Sequence, residues 1–98
     1  MKVTRLLESD CLVLEVSGRI DTITAPELES AFKGALDGIR ELIFDFSGVD
    51  YVSSAGLRVI LLAQKQMANR GSMKLIHVAP EVMEVFEMTG FDAILSIE

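Results

Sequence analysis

The chain has 98 residues, half of them hydrophobic and 24% charged, the profile of one soluble globular domain spanning residues 1–98 rather than of a disordered or multidomain chain. Its 15 acidic and 9 basic residues leave a formal net charge of −6, which repels phosphate backbones and anionic lipid surfaces and argues against nucleic acid as a partner. With one cysteine, Cys11, and one histidine, His77, a disulfide is excluded, and neither a zinc site of the usual His/Cys kind nor a His-dependent triad has enough parts.

The opening "MKVTRLLESD" lacks the long apolar stretch of a leader, and the longest uninterrupted apolar run, "VILLA", is too short to cross a bilayer. No membrane insertion and a cytoplasmic location are therefore expected. "MKVTRLL" reads as an antiparallel edge strand to "CLVLEVSG", whose Leu12, Leu14 and Val16 alternate onto one face with Glu15 on the other. Cys11, inside that apolar run, reads as a packed small hydrophobe. "TAPELESAFKGALDG" changes period. Leu28, Ala31, Phe32, Ala35 and Leu36 form a helical stripe, Thr24 and Glu27 suit a capping box, Pro26 suits a first turn, and Gly38 suits a stop.

"ELIFDF" has the continuous apolar character of a central strand buried on both faces, and "SGVDYVSS" reads as the loop that follows. "AGLRVILLAQKQMANRG" predicts a second helix closed by Gly71, and "MKLIHV" the next strand. In "PEVMEVFEMTGF", Pro80 opens a third helix, Val82, Val85 and Phe86 share a face, and Gly90 with Phe91 suits a glycine cap and its hydrophobic partner. "AILSI" reads as a last strand. No repeats or low-complexity segments interrupt this order, β-β-α-β-α-β-α-β, which implies an α/β sandwich with parallel central strands.

Sites in open α/β sheets favour the crevice beyond the carboxyl ends of strands, where the chain delivers Ser53 and Ser54. Serine is a preferred helix N-cap, which accounts for one of them. It does not account for a pair followed by Ala55 and Gly56, small residues that leave the backbone approachable. On the helix, Leu57, Ile60, Leu61, Ala63, Met67 and Ala68 make the core-facing arc, while Val59 and Leu62 fall outside it. These two either sit beneath a neighbouring helix or form an apolar docking patch near the serines. Arg58, in the first turn, opposes the helix dipole, and a salt bridge to a partner would explain it.

"DFSGVDYVSSAGLRVIL" resembles the signature of STAS domains, in particular the anti-sigma factor antagonists: a strand ending in D-x-S, a loop, a phosphorylatable serine, then small-Gly-Leu opening a helix. "GRID", Gly18 to Asp21, is similar to the family's G-x-[LI]-D, and "FEMTGF" to its late [LF]-x-x-[ST]-G-[LF] element. The three motifs stand in the family's order and cover essentially the whole chain. The resemblance implies a STAS-like sandwich, with a mixed, mostly parallel sheet of four to five strands covered by three to four helices. It places the phosphoacceptor on Ser54, with Ser53, where the family often has Asp, as the alternative.

The resemblance further implies a regulatory protein without chemistry or cofactor of its own. The unmodified domain would bind an ATP-binding anti-sigma factor serine kinase and free the sigma factor; phosphorylation would end binding, and a PP2C-type phosphatase would reset it. Asp21 either contacts the kinase or serves as the turn or cap acid of "DTIT". Asp45, late in an apolar strand, is expected to be held by loop hydrogen bonds, and Asp50 to be a solvated loop residue. Two other classes compete. A serine hydrolase would need G-x-S-x-G flanks, which are absent, and His77 in a predicted strand. A nucleotide- or lipid-sensing module, or a subunit of transport machinery, would lack a phospho-switch; no P-loop G-x-x-x-x-G-K-[ST] is present.

Overall fold

Alternation of apolar side chains along three neighbouring strands decides which side of the sheet becomes the core. The computed structural model describes residues 1–98. Strands β1 (Lys2–Glu8), β2 (Cys11–Ile20), β3 (Glu41–Val52) and β4 (Ser72–Ile76) form one sheet in the order β1-β2-β3-β4. The β1–β2 pair is antiparallel, and β2–β3 and β3–β4 are parallel. Helices α1 (Ala25–Phe32) and α2 (Ser54–Met67) make the two parallel crossovers, and α3 (Pro80–Thr89) leads into a 3₁₀ turn, Phe91–Ala93.

Because the strand order advances in one direction and such crossovers are right-handed, the helices fall on one side. Leu12, Leu14, Val16 and Ile20 of β2 and Leu42, Phe44 and Phe46 of β3 are buried there, against Phe32 of α1, Ile60 of α2 and Phe86 of α3. Phe44 meets Phe32 and Phe46 edge-on, at ring centroid distances of 6.2 and 6.0 Å. The opposite face is only partly covered: Val13, Ile43 and Ile76 are half-buried there and Glu15 is exposed. The expectation that "ELIFDF" is buried on both faces is thus corrected. A helix on the second face would require a reversal of strand order, and the chain makes none.

Four boundaries differ from the sequence reading. First, β3 continues through "SGVDYV" to Val52 instead of giving way to a loop. Its pairing with β2 shifts twice, between Glu15/Asp45 and Ser17/Gly48 and again between Gly18/Val49 and Arg19/Tyr51, with one extra residue on β3 each time. These bulges move the buried positions from every second residue to every third, Phe46, Val49 and Val52. Second, α1 stops at Phe32, and Gly34 (φ 71°) turns the chain before Leu36, which is still buried. Third, His77 lies just past β4 with φ 58°. Fourth, "AILSI" makes only a single parallel bridge, Leu75 to Ile97, because the 3₁₀ turn takes the preceding residues: Ile94 N–H and Leu95 N–H both donate to Phe91 C=O.

No helix is long and apolar enough to cross a membrane. The start of α2 rests directly on the end of β2. A Cβ built on Gly56 would lie 2.7 Å from Ile20 Cγ2, 3.0 Å from Val52 Cγ1 and 3.2 Å from Ile20 O, and the last is backbone that cannot swing away. Gly56→Ala is expected to cost about 1–3 kcal/mol by overpacking, read as a lower denaturant midpoint at an unchanged slope in urea unfolding.

Candidate functional site

The carboxyl ends of β2 and β3 are tied together: Ser53 N–H donates to Ile20 C=O at 2.8 Å. This brings Asp21, the first residue after β2, beside the serine pair that follows β3. Asp21 and Thr24 then cap each other. Asp21 Oδ1 accepts from Ile23 N–H and Thr24 N–H, both at 3.0 Å, while Thr24 Oγ1 accepts from Asp21 N–H at 2.9 Å. Asp21 C=O accepts from Ala25 N–H at 2.8 Å, so the helical path starts three residues before α1 proper. The capping box is therefore Asp21/Thr24. The expected Thr24/Glu27 box does not form, because Thr24 already has helical φ/ψ and its hydroxyl donates to Arg19 C=O at 2.7 Å.

The backbone N–H of Thr24 lowers the Asp21 carboxyl below the usual carboxylate range; partial burial opposes this, and Ile23 N–H, the Thr24 hydroxyl and Arg19 add to the lowering. Arg19 Nε lies 3.8 Å from Asp21 Oδ2, and its guanidinium sits 4.0 Å over the Tyr51 ring. Arg19 and Tyr51 escape a sequence reading because only the bulged β2–β3 register makes them partners.

The two serines divide their tasks. Ser53 is the N-cap of α2, its Oγ accepting from Gly56 N–H at 3.4 Å, whereas Ser54 is the first helical residue and is exposed. Ala55 is half-buried at the mouth of a groove of about 450 Å³ between α1 and α2, which Arg58, Val59, Leu62 and, across on α1, Glu29 also line. Gly56 is buried against Ile20 and Val52 and offers a partner no surface; packing alone accounts for the glycine. Val59, 7% exposed, belongs to the core, so the neighbouring-helix explanation holds for it, and Leu62 lies half-buried at the groove.

At about 100° per residue, Ser54, Arg58, Leu61 and Lys65 share one arc of about 60° on the side of α2 away from the core. Leu61, placed in the core arc by the sequence reading, lies half-buried in this outward stripe, and Ala68 is exposed. Lys65 was legible in principle as the next turn of the same stripe. Neither Arg58 nor Lys65 has an acidic partner within the fold.

On the other flank, Asp45 Oδ1 accepts from Ser47 N–H at the first bulge and lies 3.0 Å from His77 Nδ1. An ionised carboxylate only accepts, which puts the proton on Nδ1. Burial pushes the Asp45 carboxyl up, but the hydrogen bonds from His77 and Ser47 together hold it below its ordinary value. Asp45 is held by hydrogen bonds as expected, but Ser47 belongs to the continued β3, and the loop partner is His77, just past β4. Asp50 is exposed. Cys11 is half-buried and its thiol donates to Glu41 at 3.6 Å, burial foremost raising its pKa. No three His, Cys, Asp or Glu side chains cluster as metal ligands.

A family model described as "STAS domain" matches residues 4–98. A Bordetella bronchiseptica protein named as an anti-sigma factor antagonist, BtrV, is 36% identical over 99% of this chain and 85% of its own length. An anti-sigma-B factor antagonist of Listeria monocytogenes is 32% identical, over 93% of this chain and 82% of its own. Among solved structures, an anti-sigma factor antagonist from Mycobacterium paratuberculosis superposes with a TM-score of 0.88 at 25% identity, covering 98% of this chain and 83% of that one.

Two outcomes follow from the geometry. Ser53→Ala, which removes the cap, is expected to lower stability by about 1 kcal/mol, whereas Ser54→Ala stays within about 0.5 kcal/mol of the parent; urea unfolding of the two variants decides. Asp45→Asn is expected to be less stable than the parent above about pH 4. The sign is that of a lowered carboxylate: its contribution is fully present above the unfolded pKa and is lost as pH falls through the folded one. Thermal melts of both proteins across the acid range should therefore converge.

Proposed function

We propose that this chain, which belongs to the STAS domain family, acts as an anti-sigma factor antagonist, a regulatory binding protein and not an enzyme, switched by phosphorylation of Ser54. In this reading residues 1–98 work as one STAS unit in the cytoplasm. The unmodified form engages an anti-sigma factor serine kinase and so releases the sigma factor; phosphate on Ser54 ends the engagement, and a PP2C-type phosphatase restores it. The names borne by the relatives support the general role. The finer assignment is carried by one observation: Ser54 is exposed at the first helical position while Ser53 is engaged as the cap. Ser54 presents a hydroxyl that no hydrogen bond of the fold occupies, whereas the Ser53 hydroxyl is half-buried and occupied as the cap.

The physics of a phosphate at that position favours a switch of binding over a switch of shape. It adds about −1.5 to −2 charges at neutral pH, and beside a helix N-terminus a negative charge is stabilised by about 0.3–1 kcal/mol. The domain therefore stays folded, and the consequence falls on the interface. A like-charge contact at about 4 Å costs about 1 kcal/mol in water and up to about 4 kcal/mol at an intermediate dielectric. At tenfold per ~1.4 kcal/mol, that is about fivefold to several hundredfold in affinity. Asp21, occupied in its capping box, contributes in this reading as a fixed charge next to the serines.

The decisive experiment is fragment-resolved mass spectrometry of the protein recovered from its own cells, beside the Ser54→Ala and Ser53→Ala variants. A single phosphate on Ser54, retained in Ser53→Ala and lost in Ser54→Ala, is the expected result. Phosphate on Ser53, or none under any growth condition tested, would sink the assignment.

A further inference from the structure

The groove between α1 and α2 has a chemistry at odds with the rest of the molecule. In a chain of net charge −6, its α2 wall carries two exposed cations, Arg58 and Lys65, with Leu61 and Leu62 between them, against one half-buried carboxylate, Glu29, on the α1 wall, so that the groove's charged lining is net positive. The cations are seven residues apart on one helix, so their Cα atoms are separated by about 10 Å along its axis. Neither has an ion-pair partner in the fold; α2 begins at Ser54 and not at Ala55, so Arg58 is its fifth residue and stands just beyond the first turn. An apolar strip bounded by two cations at this spacing is complementary to a helix that presents apolar residues flanked by carboxylates two turns apart.

Ser54 stands on the same stripe, four residues before Arg58, so the two side chains are neighbours on the helix surface. An anion at i with a cation at i+4 is the favourable orientation for such a pair, and phosphate–guanidinium hydrogen bonds are among the stronger ones available to side chains. We propose that the α1–α2 groove docks an acidic amphipathic helix of the protein partner, held by Arg58 and Lys65, and that a phosphate on Ser54 weakens docking by drawing Arg58 onto itself. The second half rests on Ser54 being the phosphoacceptor; the first does not. Neutralising one of two anchors and placing a dianion beside the seat act in the same direction, which makes a small local change sufficient.

The test uses the full chain and two synthetic, fluorescein-labelled helical peptides of about 18 residues, long enough to span the groove. One has a Leu stripe flanked by Glu at i and i+7; its twin has Lys at those positions. Fluorescence anisotropy is expected to give about tenfold tighter binding of the Glu peptide, weakening as salt is raised, and Arg58→Glu/Lys65→Glu is expected to reverse the preference. Urea unfolding of that double variant confirms that it is folded, and the single Lys65→Ala, in an exposed mid-helix position, provides a second folded probe. Equal affinity for both peptides, binding of neither, or capture of anionic phosphatidylglycerol vesicles in preference to the Glu peptide would overturn the docking assignment.

The capture of Arg58 is read separately, with phosphoserine incorporated at position 54 in the parent and in Arg58→Ala. A downfield shift of the Arg58 Nε–H resonance on phosphorylation, with the phosphate weakening the Glu peptide several-fold more in the parent than in Arg58→Ala, supports it. An unmoved resonance and an equal loss in both backgrounds refute it, leaving plain repulsion. If no phosphate is found on Ser54 in cells but the peptide preference holds, the phospho-switch fails and the groove assignment stands; phosphate on Ser54 without the peptide preference is the converse.

Discussion

One hydrogen bond, from Ser53 N–H to Ile20 C=O at 2.8 Å, closes the corner on which the site depends. It ends the β2–β3 pairing and begins α2 in the same peptide, so the helix cannot drift along the strand ends. Ile20 is fully buried, and its side chain and carbonyl together leave room only for a glycine at position 56. The consequence is a fixed start for α2, with Ser53 turned back to cap it and Ser54 turned out. Asp21 hangs from the other side of the same corner, since it follows Ile20 directly and its own carboxylate is held by Ile23 N–H and Thr24 N–H. A buried apolar residue, a missing Cβ and one backbone bond thus place three polar side chains at the surface.

Much of this was legible in the chain wherever residues obey a single period. Leu12, Leu14 and Val16 alternate and are buried; Pro80 opens α3 and Gly90, with φ 79°, closes it. The second half of β3 was not legible, because two bulges replace alternation by burial of every third residue, Phe46, Val49 and Val52. Such a spacing with Gly48 and Asp50 between reads as a loop to any test of strand periodicity. The cap of α1 failed for a related reason. "TAPE" fits a capping box by sequence whereas "DTIT" offers only a turn or cap acid, and the tertiary anchoring of Asp21 at the end of β2 selects the latter. On α2, helical spacing located the stripe but not its depth: Val59 and Leu61 exchanged places between core and groove because α1 covers one flank of α2 and not the other.

The chain's charge is distributed against its average. Net charge alone predicts a surface that repels anions, yet α2 turns Arg58 and Lys65 outward beside a strip of leucines, and Arg19 stacks on Tyr51 at the same end of the sheet. These positive groups are treated differently by the fold. Arg19 is committed, to Tyr51 and Asp21, whereas Arg58 is left unpaired on the outward face of α2. A cation that pairs with nothing internal is free to answer to something external. In the docking mode proposed above, the net negative charge disfavours phosphate-rich surfaces, while Arg58 and Lys65, outnumbering Glu29 across the groove, would supply the local attraction for a carboxylate-bearing segment.

With Ser54 as the phosphoacceptor proposed above, the adjacency of Ser53 and Ser54 would separate the capping duty from the regulatory one. An N-cap hydroxyl is an acceptor already in use, by Gly56 N–H, and the Ser53 side chain is half-buried at the strand corner. A serine at the next position has no such duty. Its hydroxyl is exposed, its backbone N–H is one of the groups a helix start leaves unpaired, and an anion there is favoured by the helix dipole. A phosphate on Ser54 would also stand four residues before Arg58 on the same stripe, which ties the energetics of modification to a group that lines the groove.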